Sequence, residues 1–142
     1  MNLLRFFCLA VAMTVALPLA AALAASPNGV WTMGKITVRV QDCGGKLCAV
    51  IVALKEPISK IDGRPKVDRE NPDAAKRKRP LIGLSILIGM KPAGPNKWKG
   101  AIYNPDDGKT YSASLTLGGN RLKVTGCVAG ILCKANNFVR VK

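Results

Sequence analysis

The sequence predicts an all-β chain: eight antiparallel strands closed into an up-and-down barrel, with one short helix in a single long connection. Three observations carry that prediction. Apolar and polar residues alternate with period two, as in Ile36, Val38 and Val40 set between Lys35, Thr37, Arg39 and Gln41. Glycine-containing turns divide most of these runs closely enough to make successive strands antiparallel neighbours. Four cysteines form two close pairs, Cys43 with Cys48 and Cys127 with Cys133, each bracketing such a turn. A two-sheet sandwich is the alternative, but closure removes the exposed edges that pair with other chains.

Residues 1–24 precede the strands and read as a secretory signal. Arg5 gives a basic start, Phe6 to Leu19 is almost unbroken apolar sequence, and Ala22-Leu23-Ala24 offers small residues where a signal peptidase reads. The expected cut follows Ala24, with Ala25 as the near alternative; an uncleaved membrane anchor is the competing reading. Cys8 lies within the apolar run, where a lipid-modified cysteine is not expected. Removing 24 of 142 residues leaves 118, residues 25–142, enough for a single domain with one core. No later stretch is long and apolar enough to span a bilayer, so a soluble mature protein is expected. Without Arg5 the formal charge of +14 falls to +13, and there is no histidine. Such a balance attracts anionic partners over roughly 8 Å at physiological salt and says nothing about the fold.

The strands are expected at about 29–33, 35–42, 47–55, 82–90, 96–104, 109–118, 121–128 and 131–141. Tyr111, Ala113, Leu115 and Leu117 alternate with threonine and serine, and Leu122 and Val124 alternate with Arg121, Lys123 and Thr125. The runs 47–54 and 81–88 are more uniformly apolar, and are read as strands from their valine and isoleucine content and their length. Turns are marked by Gly44-Gly45, by Asn104-Pro105-Asp106-Asp107-Gly108, by Gly118-Gly119-Asn120 and by Ala129-Gly130. Lys55 to Pro80 is the one long connection, with nine basic residues, five acidic ones and four prolines. Within it Asn71 can cap a helix, Pro72 suits its first position, and Pro80 ends it, so one or two helical turns are expected from Pro72 to about Lys78. Connections this long are often functional or mobile.

A two-residue turn at Gly45-Lys46 places Cys43 opposite Cys48, and a three-residue turn at 129–131 places Cys127 opposite Cys133. Directly opposed positions suit a disulfide. Of the three possible connectivities, hairpin geometry favours these two local ones. A four-cysteine zinc site fits poorly with an oxidising compartment and no histidine, and neither pair is a C-x-x-C redox motif. No cofactor or metal is expected. The aromatic residues after the signal are Trp31, Trp98, Tyr103, Tyr111 and Phe138; they either line a ligand cavity or plug the barrel and its ends.

Two blocks carry a resemblance. Lys66-Val67-Asp68-Arg69-Glu70-Asn71-Pro72-Asp73, followed by Arg79-Pro80-Leu81, is one; Trp98-Lys99-Gly100-Ala101-Ile102-Tyr103-Asn104-Pro105, running on to Tyr111, is the other and the more specific. With Gly29-Val30-Trp31, the Cys43/Cys48 pair and Arg140, they resemble the bacterial exported family catalogued as domain of unknown function 2147, over roughly residues 28–141. Ala49 stands where that family usually has glycine, and Phe138 where it usually has tryptophan. The resemblance implies a lipocalin-like or fatty-acid-binding-protein-like barrel, a periplasmic location, and no established activity. It also implies that Trp31 and Arg140 stack at the closed end of the barrel, a structural role.

The expected function is a non-catalytic binder of a small apolar or amphipathic ligand, since an eight-stranded barrel can hold one small molecule. The long connection is then a lid, with Asp68, Asn71, Arg77 and Arg79 as polar contacts and Tyr103 and Tyr111 facing inward. The alternative is a cationic module, using Lys76-Arg77-Lys78-Arg79 to hold anionic envelope lipid or an acidic protein. Nucleic acid is a poor partner without stacking aromatics near that run. Enzymatic activity is disfavoured by the lack of histidine and by thiols expected to be oxidised. A monomer is expected.

Overall fold

In the computed structural model, which describes residues 25–141, eight strands close into one antiparallel barrel in sequence order. They are β1 (Gly29–Met33), β2 (Ile36–Asp42), β3 (Leu47–Leu54), β4 (Ser85–Pro92), β5 (Lys97–Asn104), β6 (Lys109–Gly118), β7 (Arg121–Val128) and β8 (Leu132–Arg140). The expected signal segment and its cleavage site at Ala24 lie outside the described residues, as does Cys8. Among the described residues no helix is long and apolar enough to cross a membrane.

The up-and-down path gives the barrel two distinct ends. Turns 34–35, 105–108 and 129–131 and the long connection lie at one, called here the open end. The chain start at 25–28 and turns 43–46, 93–96 and 119–120 lie at the other, the closed end. Alternation sends Trp31, Val38, Val40, Ala49, Leu115 and Leu122 inside, where each is at least 97% buried. Burying a side chain of this size contributes roughly 1.5–3 kcal/mol, so the closed half of the barrel carries most of the core.

Strand β4 begins three residues later than expected. Gly83 N–H donates to Ile51 O and Ile51 N–H to Leu84 O, so the chain first runs beside β3 through irregular pairing before the ladder starts at Ser85. The expected helix from Pro72 to Lys78 is a single 3-10 turn at Ala74–Lys76, capped by Asp73 rather than Asn71. The Asp73 carboxylate accepts from Ala75 N–H at 3.0 Å, while Asn71 is committed elsewhere. Pro80, the expected terminator, bridges to Val67 instead.

Disulfides join Cys43 to Cys48 and Cys127 to Cys133. The second pair sits directly opposed in the β7–β8 ladder, as the three-residue turn requires. The first does not: Gln41 faces Cys48 and Asp42 faces Leu47, so Cys43 lies beyond the ladder in a four-residue turn. Asp42 explains the longer turn, because its carboxylate accepts from Gly44 N–H at 3.1 Å and Gly45 N–H at 3.2 Å. The Cα atoms remain 6.0 Å apart, within reach of a bridge.

Candidate functional site

The open half of the barrel is hollow. A cavity of about 870 Å³ opens there, large enough for a small organic molecule. Its walls include Ile51, Ile86, Ile102, Val124 and Phe138, so its depth is apolar. Gly126, facing Ile102 and Tyr111, contributes empty space where another residue would contribute a side chain. Polar groups gather toward the mouth, among them Lys35 from the β1–β2 turn, Glu56 and Lys66 from the connection, and Lys134 and Asn136 from β8.

Of the six residues expected to contact a ligand, the structure brings two to the cavity lining, Tyr103 and Tyr111. Tyr111 lies on the inward-facing register of β6, and its hydroxyl donates to the Asp107 carboxylate at the rim. That bond holds the Asp107 carboxyl below the ordinary range and pushes the Tyr111 hydroxyl above it. Tyr103 alternates with Ile102, which places its ring under the long connection rather than deep in the barrel; its hydroxyl is already engaged there.

Asp68, Asn71, Arg77 and Arg79 do not line the cavity, because their polar atoms are used on one another. Asp68 is fully buried, and its carboxylate accepts from Tyr103 Oη at 2.6 Å, Asn71 Nδ2 at 2.8 Å, and Arg79 Nε and Nη2 at 2.8 and 2.7 Å. Asn71 Nδ2 also donates to Tyr103 Oη at 3.0 Å, and Arg77 Nε donates to Asn71 O at 2.7 Å. The Arg79 guanidinium lies 5.7 Å from the Tyr103 ring centre. Burial opposes ionisation of Asp68, but hydrogen bonds from Tyr103, Asn71 and Arg79, with the Arg79 charge, outweigh it and hold the carboxyl below its ordinary range. For Tyr103, burial and then the bond to Asp68 push the hydroxyl upward.

This network fastens the connection to β5. Beside it, the β5–β6 turn seats Gly108 at φ +68° so tightly against the Glu70 carbonyl that a Cβ there would collide with it. The connection is therefore one wall of the mouth, contributed by Glu56, Lys66 and Leu81, and not a free lid. The basic run is drawn in too: Lys76 pairs with Asp73 at 3.2 Å, and Arg77 and Arg79 serve the network, leaving Lys78.

At the closed end, the Arg140 guanidinium lies 4.1 Å over the Trp31 ring. Its Nη1 donates to Asn28 O and its Nη2 to Ser26 O, at 2.8 and 2.7 Å, while Trp31 Nε1 donates to Pro27 O at 2.8 Å. The entering segment is thus drawn across the barrel bottom. Gly29, at φ +140°, is the point where a Cβ would strike Arg140. Among the described residues no group of three or more histidine, cysteine, aspartate or glutamate side chains is placed to hold a metal ion.

The two sequence blocks of the resemblance, distant along the chain, thus meet at Asp68, Asn71, Tyr103 and Gly108. A family model described as an uncharacterized protein conserved in bacteria, domain of unknown function 2147, matches residues 24–140. The chain belongs to this family. No curated protein matches it. Among solved structures it is similar to protein HP1028 from Helicobacter pylori, described as belonging to the lipocalin family. The two share 23% identity and a TM-score of 0.71, covering 82% of this chain and 84% of that one. At that identity the likeness shows a lipocalin-like fold for this chain and carries no ligand with it.

Sequence reasoning missed Lys134 and Asn136. The signal was present: on β8, Leu132, Lys134, Asn136, Phe138 and Arg140 share the inward register, and three of those five are polar. A strand whose inner face is mostly polar faces water, not a dry core.

Proposed function

We propose that this chain is an exported, periplasmic, non-catalytic carrier that holds one small apolar or amphipathic molecule in its barrel. The observation that carries the reading is the 870 Å³ cavity, apolar in its depth and polar at its mouth. A ligand's apolar part would gain roughly 25 cal/mol for each Å² withdrawn from water, and its polar part would remain among the rim groups. Two disulfides suit an oxidising compartment. The non-catalytic part of the reading rests on Asp68, the buried carboxylate, whose acceptor positions are already filled by three neighbours.

The test is the cavity itself. Protein purified from its own compartment should release a small organic molecule that mass spectrometry detects, and should bind an apolar fluorescent probe such as an anilinonaphthalene sulfonate. Ile102→Trp, which places an indole into the cavity, should weaken probe binding at least tenfold with the fold retained by circular dichroism. Undiminished probe binding by that variant, with no co-purified molecule, would refute the reading.

A further inference from the structure

The turn between Cys127 and Cys133 reads Val128-Ala129-Gly130-Ile131-Leu132, without one polar side chain. Turn tips ordinarily face water and carry polar residues. Here Ile131 at the tip is 83% exposed, and Leu132 (74%) and Val128 (50%), which line the cavity mouth, stand open beside it above the disulfide. Single exposed apolar residues are unremarkable; a run of them at the most protruding point of a hairpin is not. The same end of the barrel bears a second protrusion in the long connection, where Ile61 is 81% exposed and Ile58 48%. Ile61 borders a shallow depression with Lys66, Pro105 and Asp106, and three of those, all but Ile61, also line the cavity mouth. The two protrusions therefore belong to the rim of one opening.

The cations around that rim narrow the choice of partner. Lys134 follows directly on Cys133, Lys35 stands in the β1–β2 turn, and Lys60, beside Ile61, has an 84% exposed side chain whose ammonium lies 3.7 Å from Glu56. Glu56, Asp106 and Asp107 also stand at the mouth, so the excess of positive charge that selects the partner is that of the whole chain. Without the signal segment the chain carries a formal charge of +13, so a second copy would be repelled at long range while an anionic surface would be attracted. Apolar side chains spaced on separate turn tips also fit a fluid boundary better than the contiguous core of a protein interface.

We propose that the open end docks on an anionic lipid bilayer, with the Cys127–Cys133 hairpin tip and Ile61 inserted at the headgroup boundary and Lys35, Lys60 and Lys134 against the headgroups. The cavity mouth then faces the membrane, so an amphiphile could pass between bilayer and barrel without crossing water. The docking does not depend on the cavity being occupied, and its test does not read ligand binding.

The mature protein, residues 25–142, is floated with vesicles of phosphatidylcholine alone and of phosphatidylcholine with phosphatidylglycerol. Binding should appear on the second composition and weaken as salt is raised. Ile61→Ser combined with Ile131→Ser should weaken partition at least tenfold, with urea unfolding unchanged because both side chains are exposed. Lys35→Glu with Lys134→Glu should abolish the preference for phosphatidylglycerol. Ile131→Trp should give an indole quenched by lipids brominated on the acyl chain. The proposal is overturned if wild type ignores anionic vesicles, if the isoleucine variant floats like wild type, or if the indole is not quenched. It is equally overturned if binding is lost on Lys78→Ser but not on the tip variant, or if the tip drives self-association in sedimentation instead.

Discussion

The hydrogen bond from Tyr103 to Asp68 should hold the long connection against the barrel, and a double-mutant cycle measures it. Tyr103→Phe keeps the ring beneath Arg79 but deletes a hydroxyl that donates to a buried carboxylate and accepts from Asn71. A bond to a charged group contributes about 1.5–3 kcal/mol and a neutral one about 1, so the expected loss is roughly 2–3 kcal/mol. Asp68→Ala removes the shared acceptor of three side chains. Breaking a buried ion pair costs about 3–5 kcal/mol, but the Arg79 side chain is 39% exposed and can rehydrate, which favours a figure near 3 kcal/mol. Because the two substitutions delete one bond in common, the double variant should fall short of additivity by about 2 kcal/mol. Urea unfolding followed by Trp31 and Trp98 fluorescence gives the global values. Trypsin gives the local one, since the connection holds nine basic residues. If 2 kcal/mol of the loss opens only that segment, cutting there should accelerate roughly thirtyfold. A coupling below about 0.5 kcal/mol, with unchanged cutting, would refute the view that this network fastens the connection.

The same carboxylate sets a pH dependence. Its folded pKa lies below the ordinary carboxylate range, so its contribution is present above the ordinary value and is lost as pH falls through the folded pKa. Acid unfolding of wild type should therefore show a steeper limb below about pH 4 than Asp68→Ala, and parallel curves would count against the assignment. At the closed end, Arg140→Ala should cost about 2 kcal/mol, combining a cation–π contact with two bonds to backbone carbonyls. Hydrogen exchange should then rise at residues 26–30 while the open end keeps its protection; uniform loss across the barrel would contradict that local role.

What could be read from the chain alone divides along a physical line. Strands β6 and β7 were legible to the residue because one face is apolar and the other polar, which fixes phase as well as identity. Strand β4 was misplaced because the run 81–88 is apolar on both faces, so nothing in it reports where pairing begins. The first disulfide was legible as a pair but not in register, since the Asp42 side chain lengthened the turn through bonds that spacing does not show. The candidate site was harder still. Asp68 reads as a ligand contact because it lies in the long connection, which the sequence suggests as a lid over the barrel mouth. Its burial depends on Tyr103, 35 residues away, and on a turn glycine at 108 that lets the two segments touch. The cavity itself was legible only as a possibility of barrel size, although the polar inner face of β8 pointed to it.

The two disulfides lie at opposite ends of the barrel, each joining cysteines that are neighbours in the order of synthesis. Their sequence separations are 5 and 6. Cys43 therefore meets Cys48 while the second pair is still more than 75 residues behind. Oxidation in order of emergence yields the native pairing without any reshuffling step, so maturation should require a thiol oxidant but not a disulfide isomerase.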